Sequence, residues 1–404
     1  MKILVLNCGS SSIKYQLLEM DNEQVLATGG IDRIGQSNGE FKYSSILQEK
    51  TSKTITIQNH EHGVELILSS LLDPLTGVVK DKKEIKAVGH RIVHGAEAFI
   101  GSVVINDTVL AKVKECASLA PLHNTVNLKG IYASQKFLPD AIQCGTFDTA
   151  FHQTMPQHAY MYPIPYEYYD CYKIRKYGFH GSSHNFISKV AAKTLGFDYN
   201  RCKIITCHLG NGASIAAIEN GKSIDTSMGL TPLEGLMMGT RSGDFDLGAL
   251  LYLMNKESKP NETIPELLQR TDDMLNKKSG MLGISGYSDM RDAADSADAG
   301  NEKSKLALKM YAYRVKKYIG SYTAAMGGVD IIVFSGGIGE NNVAIREVIC
   351  NGFEYLGLDF NTERNQTARG VLKEISKPDS KVKAIVVPTN EELVIARETL
   401  ALLE

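Results

Sequence analysis

Apolar residues in this chain fall into short runs typical of buried strands, and two of these runs lead into turns of small residues. Residues 2–16, KILVLNCGSSSIKYQ, place such a turn between two apolar runs, and KIITCHLGNGASIAA, beginning at Lys203, has the same order. Each stretch predicts a β-hairpin whose tip is nearly free of bulky side chains. Because the two tips stand half a chain apart, the repeat suggests two duplicated halves.

Further along the chain, the spacing of apolar residues predicts an alternation of helices and strands. Helices are predicted over 64–72, 111–117, 126–137 and 301–326, and strands over 85–93, 141–147, 331–334 and 382–387. The motif APLHN at 120–124 is expected to connect two of the helices. The strand 141–147 delivers Asp148 at its carboxyl end, where ligands bind in open α/β sheets.

The C-terminal third adds two further signals. The stretch SGGIGEN at 335–341 predicts a glycine-rich turn before another helix. Thr389 with Glu392 forms a capping-box pattern, which leaves the neighbouring Glu391 free to project elsewhere. The terminal helix that follows is expected to fold back onto the first domain.

Length and composition indicate a globular protein of two domains. A length of 404 residues exceeds what one hydrophobic core usually supports. A composition of 43% hydrophobic and 22% charged residues is typical of globular proteins. We predict an N-terminal domain over 1–150, completed by 388–404, and a C-terminal domain over 151–387. A net charge of −2 argues against nucleic acid or a membrane surface as partners.

Cysteine usage and the N-terminus favour a cytoplasmic location. The seven cysteines show no regular spacing, which suits reduced, packed thiols. After Lys2 only four apolar residues, 3–6, precede Asn7, too few for a signal sequence. Seven tyrosines at 160–177 fit either a subunit or domain contact or a packed Ω-loop.

Three turns of small residues, at 9–12, 210–212 and 336–339, each follow an apolar strand. Small residues let backbone N–H groups approach phosphate oxygens. The chain has neither a GxxxxGK[ST] P-loop nor, at 336–339, the GxGxxG spacing of dinucleotide sites. One such turn alone also fits an ordinary hairpin with a flexible tip, whereas three together suggest a phosphate-binding cleft between two similar domains.

Two arginines and one carboxylate stand out as candidate chemistry. Arg91 in HRIVHG and Arg241 in MMGTRSGD lie at the ends of apolar or glycine-containing runs, and a guanidinium binds carboxylate or phosphate through two N–H groups. Asp148 can organise a magnesium ion, act as a base or serve only as a capping group. Histidine pairs at 90/94 and 180/184 have a zinc-ligand spacing, but no HExxH or cysteine partner accompanies them.

The motifs NCGSSSIKYQL, GHRIVHG, APLHN, FDTAFHQTMP, RKYGFHGSSH, CHLGNGASI, TPLEGLMMGTRSGD, SGGIGENN and PTNEELVIARE resemble the acetate kinase family, in its order and over nearly the whole chain. The resemblance implies reversible, magnesium-dependent phosphoryl transfer from ATP to acetate, giving ADP and acetyl phosphate, with Mn²⁺ as a substitute metal. It also implies a homodimer and an α/β fold of two duplicated actin/ribonuclease H-like domains with a nucleotide cleft between them.

The resemblance also assigns residues to the metal and the nucleotide. Asn7 and Glu391 are similar to magnesium-site residues, and Lys14 to a nucleotide phosphate contact. The remaining nucleotide-binding positions that the resemblance implies are His208, Leu209, Gly210, Asn211, Gly212, Asp289, Met290, Arg291, Gly337, Ile338, Gly339, Glu340 and Asn341.

Four further residues resemble the family's catalytic groups. Arg91 is similar to its acetate-binding arginine and Asp148 to its proton donor or acceptor, while His180 and Arg241 resemble its transition-state stabilisers. The small pocket for the acetate methyl group is implied at Val93, Leu122, Phe179 and Pro232. Because acetate is already ionised at neutral pH, we favour Asp148 as an organiser of metal or water over a general base.

Two alternative functions remain at this point. Propionate or butyrate kinases use the same chemistry, and only the volume of the acceptor pocket separates them. A non-metabolic ATPase of the actin or chaperone type is the other alternative. The two arginines, His180 and the carboxylate pocket argue against it, because such an ATPase needs no acceptor site.

Overall fold

The computed structural model describes residues 1–117, 119 and 121–404, with only the backbone described at Pro121 and Leu122. Its strands are β1 Lys2–Gly9, β2 Ser12–Glu19, β3 Gln24–Asp32, β4 Glu40–Ser45, β5 Gln48–Thr54, β6 Ile85–Ile92, β7 Val103–Val104, β8 Ile142–Phe147, β9 Lys203–Leu209, β10 Ala213–Glu219, β11 Lys222–Thr226, β12 Ile331–Ser335, β13 Lys373–Glu374 and β14 Lys383–Val386.

Helices follow the strands in an α/β order. They are α1 His60–Leu71, α2 Asp107–Cys116, α3 Pro121–Phe137, α4 Gln157–Tyr160, α5 Glu167–Tyr172, α6 Gly181–Leu195, α7 Leu247–Glu257, α8 Ile264–Lys277, α9 Gly280–Ser285, α10 Met290–Asp298, α11 Glu302–Met326, α12 Gly336–Asn341, α13 Val343–Cys350, α14 Thr362–Gln366 and α15 Glu391–Ala401. Short 3₁₀ helices lie at Lys82–Glu84, Ala150–Thr154, Tyr199–Arg201 and Glu354–Leu356.

The chain divides into two compact units. The first contains Met1–Gln153, Gly181–Ser183 and Asn390–Glu404, and the second contains Thr154–His180 and His184–Thr389. The sequence placed the corresponding boundaries at residues 150 and 388.

The first unit is built on a sheet in the order β5-β4-β3-β2-β1-β6-β8-β7. Strands β1, β2 and β3 are antiparallel neighbours, whereas β6 and β8 continue the sheet in parallel with β1. Side chains alternate along β1: Leu4 and Leu6 lie in the core with α1 and α3, and Ile3 and Val5 pack with Ile395 of α15 on the other face. Helices on both faces explain why this strand is almost entirely apolar.

The sheet of the second unit repeats this topology. Its order is β11-β10-β9-β12-β14-β13. Strands β9, β10 and β11 are antiparallel neighbours, and β12 and β14 run parallel to β9. The run β3-β2-β1-β6-β8 of the first unit therefore has the same strand directions as β11-β10-β9-β12-β14 of the second. This shared arrangement agrees with the duplication inferred from the two hairpin sequences.

Most predicted elements form, including both hairpins and the long helix α11, which Gly327 ends in a left-handed conformation. Three local predictions are wrong. The APLHN motif does not simply connect two helices, because α3 begins at Pro121, where proline has a favourable φ; Ala120 lies outside the described residues. The glycine-rich stretch after β12 is itself the short helix α12. Finally, Asn390 caps α15 instead of Thr389, since its side chain accepts from Leu393 N–H.

Within the described part of the chain, no helix is both long enough and apolar enough to cross a membrane.

Candidate active site

Parallel pairing in the first unit brings three predicted residues to one edge of the sheet. Strand β1 pairs with β6 up to Leu6 and His90, so Asn7 and Arg91 are the next residues in each strand. Strand β8 pairs with β6 up to Phe147 opposite Ile92, and Asp148 follows immediately. Asn7, Arg91 and Asp148 therefore lie at the carboxyl ends of adjacent parallel strands, where the topology of α/β sheets places ligand sites.

Asp148 holds Arg91 through a two-pronged hydrogen bond. Arg91 Nε donates to Asp148 Oδ1 at 2.9 Å, and Arg91 Nη2 donates to Asp148 Oδ2 at 2.7 Å. The Asp148 side chain is only 4% exposed, whereas Arg91 keeps 22% of its surface accessible. A buried carboxylate thus fixes the plane of the guanidinium of a partly accessible arginine.

Glu391 approaches the same guanidinium from helix α15. Its Oε2 lies 3.7 Å from Arg91 Nη1. Burial by itself would lower the pKa of Arg91, but the charges of Asp148 and Glu391 outweigh it and raise that pKa above its ordinary value. Arg91 therefore stays cationic at any physiological pH.

Two asparagines of α3 support this edge of the sheet, and the sequence assigned neither of them a role. Asn127 accepts from Val93 N–H and donates to Cys8 O, so it ties the ends of β6 and β1 together. Asn124 accepts from His94 N–H and donates back to His94 O. Asn124 ends the APLHN motif and Asn127 lies outside every motif, and only their side-chain contacts reveal the role.

In the second unit, His180 has a left-handed backbone with φ 56° directly before α6. This conformation is uncommon for a residue other than glycine and persists only where neighbouring contacts hold it. His180 Nδ1 lies 2.9 Å from Ser214 Oγ, and the same hydroxyl lies 2.8 Å from His184 Nε2. The His180 ring stacks on His208 with centroids 4.4 Å apart. Ser214 lies within the CHLGNGASI motif, but the sequence assigned it no role.

Arg241 and His180 flank the backbone of Gly212. A Cβ atom built on Gly212 would lie 3.6 Å from Arg241 Nη1 and 3.7 Å from His180 Cε1. Arg241 Nη1 donates to Pro232 O at 3.2 Å, and no carboxylate of the described residues forms an ion pair with Arg241. Burial lowers the pKa of Arg241. The absence of a side chain at Gly212 leaves room for an anion beside both groups.

The loop that carries Arg241 is closed at its base by Asp244. Gly235 N–H donates to Asp244 Oδ1 at 2.8 Å, and Asp244 N–H donates to Gly235 O at 2.9 Å. Tyr318 of α11 donates its hydroxyl to the other carboxylate oxygen at 2.7 Å. Asp244 therefore anchors both ends of the loop to the longest helix of the unit.

A cavity of about 930 Å³ lies in the second unit, a size suited to a nucleotide. Eight of the predicted nucleotide-binding residues line it: Gly210, Asn211, Asp289, Met290, Arg291, Gly337, Ile338 and Asn341. Arg369 also lines it, although no motif had pointed to that residue.

The other predicted nucleotide-binding residues have different surroundings. His208 and Leu209 are buried in β9. Gly339 is buried in α12, and Glu340 accepts at Oε1 from Gly336 N–H and Thr389 N–H. Lys14 belongs to the first unit and lies opposite Asn7 in the hairpin β1–β2.

The residues predicted to line the acceptor pocket do not all belong to one unit. Val93 follows β6 in the first unit and is partly buried. Phe179 is 2% exposed in the second unit, and Pro232 there contacts Arg241 through its carbonyl. The side chain of Leu122 lies outside the described residues.

The histidine pairs are engaged in hydrogen bonds. His90 Nε2 lies 2.8 Å from Gln143 Oε1, and burial lowers the pKa of His90 to about 4. His184 contacts Thr206 and Ser214 through its two ring nitrogens. Over residues 1–117, 119 and 121–404, no three His, Cys, Asp or Glu side chains are grouped to hold a metal ion.

Comparison with known proteins places this geometry in a family. The model of the acetokinase family matches residues 2–397. An acetate kinase from Carboxydothermus hydrogenoformans is 53% identical over 402 residues, covering 100% of this chain and 99% of that protein. The crystal structure of Porphyromonas gingivalis acetate kinase has a TM-score of 0.93 and 51% identity, covering 100% of both chains. A propionate kinase from Francisella tularensis has a TM-score of 0.91 and 41% identity, covering 99% of both.

The two α/β units and these matches define a phosphotransferase whose acceptor is a carboxyl group. The chain belongs to the acetokinase family. The family and the fold class inferred from the motifs are thereby confirmed.

Proposed function

We propose that the protein transfers the γ-phosphoryl group of ATP reversibly to acetate in the cytoplasm, giving acetyl phosphate and ADP. A carboxylate oxygen of acetate attacks the γ-phosphorus in line while the bond to the β,γ-bridging oxygen breaks, and ADP leaves. The observation that supports this most directly is Arg241, a partly buried guanidinium beside His180 and Gly212 without a carboxylate partner among the described residues. Such a group is suited to the charge that spreads over the equatorial oxygens during transfer.

The first unit supplies groups for the acceptor and the metal. Arg91 binds the acetate carboxylate, and Asp148 sets the orientation of Arg91. Asn7 and Glu391 would hold Mg²⁺, or Mn²⁺ in its place, because both present oxygen atoms, the donors that these hard cations prefer. The metal, when bound, neutralises phosphate charge.

The geometry gives Asp148 a role that the sequence did not suggest. Both of its oxygens accept from Arg91, so the carboxylate is already engaged before any metal or water binds. We propose that Asp148 acts mainly as a positioning residue for Arg91, and that organisation of metal or water is secondary.

One assay tests the reaction. The protein is incubated with ATP, Mg²⁺ and one acid at a time, namely acetate, propionate or butyrate, and acyl phosphate is trapped with hydroxylamine. We expect the most hydroxamate with acetate. Loss of ATP without hydroxamate would support the alternative of a non-metabolic ATPase, and a maximum with propionate or butyrate would support a kinase for a longer acid.

Acceptor size gives a sharper prediction at Val93. Val93 stands two residues beyond Arg91 and is partly buried. If the Val93 side chain lines the acceptor pocket, it would clash with the extra methylene group of propionate. Such a clash usually changes the ratio of kcat/KM values about tenfold to a few hundredfold. We expect Val93→Ala to narrow the preference for acetate over propionate, measured as the ratio of kcat/KM values. An unchanged ratio, with both activities lowered alike, would make Val93 a core residue only.

We also propose that the protein is a homodimer, and that α7 and α8 form part of the interface. Neither helix has a buried residue, and both carry exposed apolar side chains. Leu247 is 75% exposed, Leu251 63% and Ile264 73%. Apolar helix faces of this kind are normally covered by a partner.

Leu251→Arg is expected to convert the dimer to a monomer, because the charged side chain would have to be buried in the interface without a counter-ion. Light scattering coupled to size-exclusion chromatography measures the mass. Leu75→Arg is the matched control, since Leu75 is 87% exposed in a turn of the first unit. If Leu251→Arg keeps the mass of the wild type, α7 lies outside the interface.

A further inference from the structure

Arg346 of α13 is a fully buried arginine whose donors are all used. Its Nη1 donates to Gly339 O and Glu340 O, both at 2.8 Å. Its Nε donates to Asn365 Oδ1 at 2.8 Å, and its Nη2 donates to Asn365 O at 3.2 Å and to Ala368 O at 3.0 Å. The side chain is 0% exposed.

None of these five acceptors is a carboxylate. Burial lowers the pKa of Arg346 to about 10, so the side chain still carries its charge at neutral pH. A buried charge without a counter-ion is costly, and its oxygen partners must be held in place to compensate. The cost of burying this charge indicates that the fold requires the geometry that Arg346 imposes on its acceptors.

The acceptors belong to two segments that Arg346 joins. Gly339 and Glu340 lie at the end of α12, whereas Asn365 and Ala368 belong to α14 and the loop after it. Gly370 N–H adds a direct bond between the segments by donating to Glu340 O at 3.1 Å. Both segments reach the cavity of the second unit, the first through Asn341 and the second through Arg369.

Arg369 differs from the other arginine of this cavity. Arg291 is neutralised by Asp289, with hydrogen bonds of 3.0 Å from Nε and 2.7 Å from Nη2. Arg369 forms no ion pair with any residue that the structure describes, and its side chain is exposed. A cation without a partner on the wall of a cavity of nucleotide size is a ready contact for phosphate oxygens.

We propose that Arg369 binds the phosphate groups of the nucleotide and that Arg346 is the positioning residue that holds the Arg369 segment against α12. This inference rests on the nucleotide cavity proposed above. A guanidinium contact to phosphate gains more than a neutral hydrogen bond, so its loss weakens nucleotide binding by about tenfold to a hundredfold.

Arg369→Gln tests the contact without disturbing the core. We expect the KM for ATP to rise at least tenfold, with kcat and the KM for acetate within about twofold of the wild type. As competitive inhibitors, ADP should lose affinity by the same factor, and adenosine should keep its affinity. Arg201→Gln, at an exposed arginine outside the cavity, is the matched control. An unchanged KM for ATP, or an equal loss for adenosine, would overturn the phosphate contact.

Arg346→Lys tests the positioning role. Lysine keeps the charge but cannot form the five-bond arrangement. We expect a rise in the KM for ATP similar to that of Arg369→Gln, and no further rise in the double variant. KM does not depend on the fraction of folded enzyme, so partial unfolding leaves this readout intact. Additive effects in the double variant would show that Arg346 does not act through Arg369.

Asn211→Ala separates this inference from the cavity assignment, because Asn211 lines the cavity independently of Arg346. If Asn211→Ala raises the KM for ATP and Arg369→Gln does not, the cavity binds the nucleotide and only the role of Arg369 fails. If neither variant changes that KM, the nucleotide binds elsewhere and both proposals fail.

Discussion

Arg241→Ala is expected to lower kcat at least a hundredfold while the protein remains folded. The guanidinium lies beside His180 and Gly212, and removing a preorganised electrostatic stabiliser commonly costs about 3 kcal/mol of activation free energy. Among the described residues, Arg241 donates only to Met238 Sδ and Pro232 O. Removing the arginine therefore leaves no buried carboxylate without a partner.

Steady-state kinetics and thermal unfolding measure the two parts of this prediction. The melting temperature should stay within a few degrees of the wild type, and the KM for acetate should change much less than kcat. Arg241→Lys keeps the charge without the two-pronged geometry and should recover only part of the rate. Near-wild-type turnover in Arg241→Ala would remove Arg241 from the mechanism.

Asp148→Asn is expected to lower kcat/KM for acetate about a hundredfold. The substitution keeps the shape of the side chain but turns one acceptor towards Arg91 into an amide donor. Arg91 then loses one of its two bonds to this residue, and a misplacement of about 1 Å in a substrate-binding group is enough for a hundredfold loss.

Three outcomes distinguish the roles of Asp148. A defect that raised Mg²⁺ leaves unchanged, with the pH profile of the wild type, supports positioning of Arg91. Partial recovery at raised Mg²⁺ or Mn²⁺ would show that the carboxylate organises the metal. A lost ionisation in the pH profile would identify a general base instead.

The complementary variant is Arg91→Ala, which leaves Asp148 buried without its cation. Activity and stability should therefore fall together, and the free energy of unfolding should decrease by about 3 kcal/mol.

Features that depend on local sequence pattern were predictable. The hairpins β1–β2 and β9–β10 follow from apolar runs around turns of small residues, and Asp148 follows a strand that its apolar run identifies. The predicted N-cap of α15, Thr389, lies one residue before the observed cap, Asn390. Both residue types are good caps, and only the backbone geometry decides between them.

Residues that act through contacts between distant segments were not predictable. Asn127 joins the ends of two strands, one of them more than a hundred positions away, and Ser214 bridges two histidines of another element. Arg369 lies on the cavity wall in a loop outside every motif. The neighbouring Ala368 accepts from Arg346, a buried arginine of helix α13. No periodicity or spacing encodes such pairs, because they arise only when the chain has folded.

The return of helix α15 to the first unit affects the order in which parts of the protein can fold. One face of β1 is covered by Ile395 and Ala396 of α15, and the ribosome makes these residues only after every strand of the second sheet. The N-terminal half therefore cannot complete the hydrophobic cluster on this face when it is synthesised, although N-terminal domains usually fold first. This face of the sheet stays open until α15 has been translated. The nascent protein is thus expected to depend on chaperone protection during synthesis.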